Sequence, residues 1–270
     1  MNNTFDIKRF WKYLRHDFQT AVGDSGLTLA ILGAMPVFVY FITEAFSLIV
    51  SGGTAQLPLA GKASACLIAA VVAGISFPAR HYGTLTDKKA GSDWLMLPAS
   101  RLEKWLSVLL MTCLAVPAFL LLELAATDGL LSLLFKGTYG TSALGLMSSS
   151  MGELWGQMNS QGLGRLAISW PYATYLNWCE NVLIFTLGAM YFKKGKVAKT
   201  FLAYFIFGMA LSMLGAAVLK IIGFDGGFQA DWQPEMFSMR TMNVLIYCIY
   251  ALFFILMDGA LYLRIKNLKH

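Results

Sequence analysis

Charge is what this sequence has least of. Only 13% of its 270 residues are Asp, Glu, Lys or Arg, about half the roughly 25% of an ordinary soluble domain. Cysteine (4) and histidine (3) are scarce as well, and each shortage excludes a class of chemistry. Cys66, Cys113, Cys179 and Cys248 lie inside apolar stretches with no CxxC spacing. Neither a thiolate zinc site nor a disulfide framework is built that way, so they read as buried, reduced thiols. His16, His81 and His270 are scattered along basic segments, where charged headgroups explain them better than a metal does. Three signatures of chemistry are missing too: the GxxxxGK(S/T) phosphate cradle, HExxH and GxSxG. The chain is therefore expected to be no enzyme, to hydrolyse no ATP itself and to carry no cofactor.

What is abundant is apolar: 57% of the residues are hydrophobic and the mean hydropathy is +0.60. A soluble protein of this size has too little interior to hide so much apolar surface, which excludes a soluble domain, and a disordered chain equally. The expected fold is all-α and polytopic, with lipid in place of water around most of the chain. A helix needs about 20 mostly apolar residues to cross the hydrocarbon core. Six stretches qualify: residues 27–50, 63–79, 105–126, 172–192, 200–222 and 242–263. The third is expected to continue through 130–135 as a tilted or kinked segment, since Pro117 removes a helix donor and Asp128-Gly129 interrupts the apolar run. No cleavable signal peptide is expected, because the first apolar run starts only near Gly26 and is long enough to span.

The net charge of +6, from 21 Lys and Arg against 15 Asp and Glu, is informative through its distribution. With both termini inside, 16 of the 21 cations are cytoplasmic: Lys8, Arg9, Lys12 and Arg15, then Arg80, Lys88, Lys89, Arg101 and Lys104, then Lys193, Lys194, Lys196 and Lys199, and finally Arg264, Lys266 and Lys269. Positive charge is retained on the cytoplasmic side, so this orientation is expected, in a bacterial inner membrane. The excess charge marks a membrane face and implies no nucleic-acid partner.

The chain then divides into an N-terminal amphipathic interfacial helix (1–25), a six-span domain (26–264), a cytoplasmic segment within it (80–104) and an extracytoplasmic loop with a helix (136–170). Over residues 5–19, Phe5, Phe10, Trp11, Leu14 and Phe18 cluster at helical spacing among four cations, as suits a helix in the inner headgroup layer. In segment 80–104, Ser92 or Asp93 is expected to cap a short helix through Trp94-Leu95-Met96-Leu97, which Pro98 ends. Ser100 reads as the N-cap of the next helix, with Glu103 completing a capping box. An apolar run at a cytoplasmic surface needs a cover, either headgroups or a partner protein.

These residues carry a resemblance. Gly83-Thr84, then Leu95-Met96-Leu97-Pro98-Ala99-Ser100-Arg101, then Lys104 resemble the segment between the second and third spans of type-2 ABC exporter permeases. It has the form Gly-Thr…Leu-Leu…Leu-Pro-(Val/Ala)-Ser-Arg…Lys. The resemblance implies that this segment is a coupling helix docked on a separate ATP-binding subunit. Trp94, Leu95, Leu97, Pro98, Ser100, Arg101, Glu103 and Lys104 would then form the joint. ATP and Mg would reside on the partner, and the permease would work as a homodimer or as one of a pair. The stretch from Asp87 to Ser92 departs from the pattern, as does the lack of an acidic residue before Gly83-Thr84.

Glu44, Glu123, Glu180 and Asp258 fall within or at the edges of spans, and Asp128 follows the third. A mid-bilayer charge costs about 2.5–3.5 kcal/mol on insertion scales, so such groups face the bundle interior or water. Glu180 with Asn177 and Asn181 forms a polar patch, read as glue between helices or as part of a pathway. Leu144, Met147, Met151, Leu154, Trp155 and Met158 fit an amphipathic outer helix, and 223–240 a smaller outer cap. Two other functions remain open. One is an ion-coupled secondary transporter dependent on Glu180; the other is a non-transporting membrane scaffold or immunity protein that recruits a partner through its cytoplasmic loop.

Overall fold

The computed structural model describes residues 5–54, 57–160, 170–221 and 239–267. Among them every regular element is helical and there is no strand. The order is α1 (Ile7–Gly33), α2 (Met35–Ser51), α3 (Leu59–Arg80), a 3₁₀ turn (Tyr82–Thr86), α4 (Lys88–Met96) and α5 (Arg101–Leu109). A π-helical turn (Leu110–Ala115), α6 (Val116–Leu134), α7 (Ala143–Ser160), α8 (Trp170–Tyr191), α9 (Lys196–Ile221) and α10 (Met239–Lys266) complete it. Three segments are long and apolar enough to cross a membrane alone: Leu59–Thr86, Arg101–Leu134 and Tyr247–Lys266. The pair α1–α2, bent by 41°, makes a fourth. The chain is thus a helical protein with several membrane-spanning candidates.

The N-terminal helix is not the separate element expected. Instead α1 runs unbroken from Ile7 to Gly33, because one buried stripe continues along it: Phe10, Tyr13, Asp17, Ala21, Ser25, Leu29 and Leu32. Their spacing of three or four residues keeps one face against the bundle. Phe5, Trp11 and Phe18 lie on the exposed side. Asp6 caps the helix, its carboxylate accepting the amides of Lys8 and Arg9 at 2.8 and 3.4 Å, a favourable charge at a helix N-terminus. The expected first span, 27–50, is likewise interrupted. The helix breaks at Ala34, where Pro36 opens α2 and supplies no amide to the carbonyl four residues back.

The third apolar run is a single rod, Arg101–Leu134, about 51 Å long at 1.5 Å per residue. Its irregularity lies upstream of Pro117, in the π-helical turn. Because Pro117 has no N–H, the carbonyl of Cys113 loses its helical donor. It accepts the Tyr175 hydroxyl of α8 at 2.8 Å instead. Next to it the Thr112 carbonyl accepts Trp178 Nε1 at 3.3 Å. The expected interruption at Asp128-Gly129 does not occur, since Asp128 extends the inner stripe of Leu120, Leu124 and Leu131. It is fully buried and satisfied from beyond the helix. Its carboxylate accepts the Tyr139 and Ser142 hydroxyls at 2.5 and 2.6 Å and the first two amides of α7 at 3.0 and 3.1 Å. Lys62 Nζ lies 4.2 Å from the centre of the Tyr139 ring and donates to the carbonyls of Tyr139 and Thr141.

Two close approaches need glycine. A Cβ on Gly33 of α1 would fall 2.6 Å from Cβ of Glu123 on α6, and one on Gly188 of α8 would fall 2.7 Å from Cβ of Thr200 on α9. By contrast, residues 201–210 of α9 are exposed throughout.

Candidate functional site: the α4–α5 corner

Helix α4 starts at Lys88, four residues before the expected cap, with Asp87 at the N-cap in extended conformation. The stretch from Asp87 to Ser92, which breaks the exporter pattern, is therefore the first half of this helix. It ends where Pro98 requires: Leu97 adopts φ −57° and ψ 132°, as a residue before proline prefers. The chain then passes into α5 through the capping box. The Ser100 hydroxyl accepts the Glu103 amide at 3.3 Å, and the Glu103 carboxylate accepts the Ser100 amide at 2.8 Å.

Of the three charged residues expected to orient a partner, Arg101 is exposed, but Glu103 and Lys104 are turned inward. Glu103 is fully buried, and its carboxylate accepts four bonds. Besides Ser100 N, these come from Asp6 N at 2.9 Å and from Nε and Nη2 of Arg9 at 2.8 and 2.7 Å. The forked Arg9 contact is the strongest geometry open to such a pair. Lys104, also buried, donates to the carbonyls of Trp94 and Leu95 at 2.7 and 3.3 Å, closing the C-terminal end of α4. Its ammonium lies 4.5 Å from the centre of the Trp94 ring. Their effect is to weld α1, α4 and α5 together. What remains outward is Met96 (78% exposed), Leu102 (42%), Pro98 and Arg101, with Trp94, Leu95 and Leu97 half-buried between.

A buried polar lattice lies behind this corner, and sequence reasoning missed it. His81, expected among headgroups, is 6% exposed and lies between two acids of α1. Its Nε2 is 3.1 Å from Asp17 and its Nδ1 3.0 Å from Asp24. Asp17 also accepts the Ser107 hydroxyl of α5 at 2.6 Å and, at 3.4 Å, that of Tyr82. Asp17 and Asp24, seven residues apart, share a helix face; that spacing was the signal available. Lys196, at the start of α9, donates to the Gly83 carbonyl at 2.6 Å.

The intramembrane candidates do not converge. Asn181 bonds Asn177 within α8, its Nδ2 reaching Oδ1 at 2.9 Å and the carbonyl at 2.7 Å, and neither links two helices. Glu180 is half-buried beside them. Glu44 is half-buried on α2. Glu123 lies against Gly33, with Oε2 buried and unbonded. Asp258 Oδ1 on α10 is likewise buried without a partner. Helix α7 occupies the expected outer segment, but the side chains of Met151, Leu154, Trp155 and Met158 and the cap 223–240 lie outside the described residues. Among the described residues no group of three or more His, Cys, Asp or Glu is placed to hold a metal ion. No protein-family model, curated protein or solved structure matches the chain.

Proposed function

We propose that the chain is the permease subunit of an ATP-driven exporter. It crosses a bacterial inner membrane six times with both termini cytoplasmic, and it pairs with a second permease, identical or related. A separate subunit binds ATP and Mg and docks on the α4–α5 corner. The observation that carries this reading is the corner's construction, an apolar rim over a polar weld. Met96, Pro98 and Leu102 face outward, while Glu103 and Lys104 tie that rim to α1 and α4. A push on the rim is delivered to α1 and α5 as one body, because Arg9–Glu103, Asp6–Glu103 and Asp17–Ser107 join about three turns of α1 to one turn of α5. Further along, α1 meets α6 at Gly33–Glu123 and turns into α2 at Ala34, where a rigid displacement becomes a change of helix packing.

The test is co-purification with any ATP-binding chain encoded beside this one; if none co-purifies with the parent chain, the proposal fails. Met96→Asp and Leu102→Asp change only the outward rim; they are expected to abolish co-purification and leave membrane insertion and thermal stability unchanged. Full retention of the partner by both variants would overturn the docking site. A second reading, a proton-coupled carrier, draws on the unbonded Glu123 and the half-buried Glu180. It predicts transport in vesicles without ATP, lost on Glu180→Gln or Glu123→Gln.

A further inference from the structure

One imidazole in the polar lattice faces an acid on each of its nitrogens. His81 closes α3 and opens the 3₁₀ turn. Asp17 accepts its Nε2 at 3.1 Å and the hydroxyls of Ser107 and Tyr82 at 2.6 and 3.4 Å. Accepting three donors and offering none is the behaviour of an ionised carboxylate. Asp24, two turns further along α1, faces Nδ1 at 3.0 Å, its side chain 40% exposed. A neutral imidazole has one N–H and one lone pair. It can serve only one of these acids and sets its lone pair against the other. The ring therefore carries both protons, and it supplies the counter-charge that buried Asp17 needs.

The other groups around the ring leave this arrangement undisturbed. Phe77 of α3 stacks on it and Tyr82 meets it edge-on, with centroids at 5.6 and 4.6 Å. Arg80 is turned to the Thr28 hydroxyl and Lys196 of α9 to the Gly83 carbonyl, each at 2.6 Å. Helix α8 packs on the 3₁₀ turn and adds Leu183 and Met190 to the apolar cluster that holds Tyr82. Tyr13 and His16 of α1 and Asp93 of α4 line a cavity of about 320 Å³ that also reaches Asp24 and His81, which gives water a route to the Asp24 arm.

We infer that His81 is a proton-operated clasp between α1 and the turn that leads into α4. As an imidazolium it bridges Asp17 and Asp24 and pins two turns of α1 to the start of that turn. On deprotonation the remaining N–H stays with buried Asp17, Nδ1 presents a lone pair to a carboxylate, and the Asp24 arm opens. Two carboxylates favour the charged ring, so folding takes up a proton here. The clasp's contribution is complete below the unfolded imidazole's value of about 6.5 and is lost as pH rises above it. Because the pinned turn precedes α4, the proton holds or frees the approach to the α4–α5 corner. The inference uses residues of this chain alone and stands apart from the docking of an ATP-binding subunit.

The experiment uses the full chain in detergent micelles, with His16→Gln and His270→Gln removing the other imidazoles and the remaining one isotope-labelled. Nuclear magnetic resonance follows its protonation between about pH 6 and pH 9. Amide hydrogen exchange of α1 over the same range, corrected for the intrinsic effect of pH, reports the clasp. His81 is expected to remain an imidazolium at about pH 7.5, and exchange around Asp24 to quicken about tenfold once it deprotonates. Asp24→Ala, at a partly exposed side chain, is expected to move the ring's titration about one pH unit lower, the tenfold that one charge-assisted hydrogen bond is worth. It should also leave α1 exchanging at the faster rate at every pH. A ring already neutral at about pH 7, a titration unmoved by Asp24→Ala, or protection of α1 that does not follow the ring's titration would overturn the inference.

Discussion

Replacing Asp128 with alanine should be among the most damaging single changes in the chain. The carboxylate closes the start of α7 from the neighbouring helix, and the substitution strands the amides of Ala143 and Leu144 and the hydroxyl of Tyr139. A stranded buried donor costs about 1–3 kcal/mol. Taking the low end for each of these three, and allowing Ser142 to turn to water, the loss is about 3 kcal/mol. At about 2–4 °C per kcal/mol for a chain of this size, the midpoint of thermal unfolding falls by about 10 °C. Asp128→Asn keeps one acceptor oxygen but presents an amide to the remaining donors, so about half the loss is expected. Tyr139→Phe removes one donor together with its bond and should cost about 1 kcal/mol. The assay is helical circular dichroism of the detergent-solubilised chain on heating. The reasoning fails if Asp128→Ala unfolds with the parent, or if Asp128→Asn is as damaging as alanine.

Three further outcomes follow from the same geometry. Gly33→Ala drives a methyl into Glu123 and should cost about 1–3 kcal/mol as overpacking. Adding Glu123→Gly, which also removes the Cβ that the methyl meets, should recover part of that loss, whereas Glu123→Ala should not; a double-mutant cycle of Gly33→Ala with Glu123→Gly on unfolding midpoints that shows no coupling would contradict the contact. Arg9→Gln and Glu103→Gln each loosen the first turn of α1 and should raise chymotryptic cleavage near Phe5–Trp11 about fivefold, with Lys8→Gln as the silent control. Trp178→Phe leaves the Thr112 carbonyl without its side-chain donor and should destabilise by about 1 kcal/mol, whereas Trp11→Phe, at an exposed position, should not.

Local signals carried much of the fold. The apolar runs of α3, α8 and α10 and the Ser100–Glu103 capping box are legible because each depends on residues at most a few turns apart. Continuity of α1 was hidden because the apolar run starts only near Gly26, which set a boundary between an interfacial helix and a span. The helix persists there because Ala21, Ser25 and Leu29 keep the buried stripe and because Asp24 is held by His81, 57 residues away. Asp128 read as an interruption for the same reason: its partners Tyr139 and Ser142 lie past the end of its helix. At the candidate site, sequence reasoning located the corner but reversed part of it. Glu103 and Lys104 looked like surface charges, and only the fold brings Arg9, 94 residues distant, and the end of α4 to them. The outward residue Met96 belonged to the recognised run, yet nothing in its neighbours' spacing marked it as more exposed than Leu95 or Leu97.

The proposal that this corner receives an ATP-binding subunit is tested most directly by a photo-crosslinking residue at Met96. The chain is expressed in native membranes from its own locus, and the products are probed for the ATP-binding subunit that the proposal requires. The same probe at Phe201, exposed on α9, serves as control. The account predicts one crosslinked product joining position 96 to the ATP-binding chain, and none from position 201. A correctly inserted chain that yields no such product at 96, or yields it equally at 201, would contradict it.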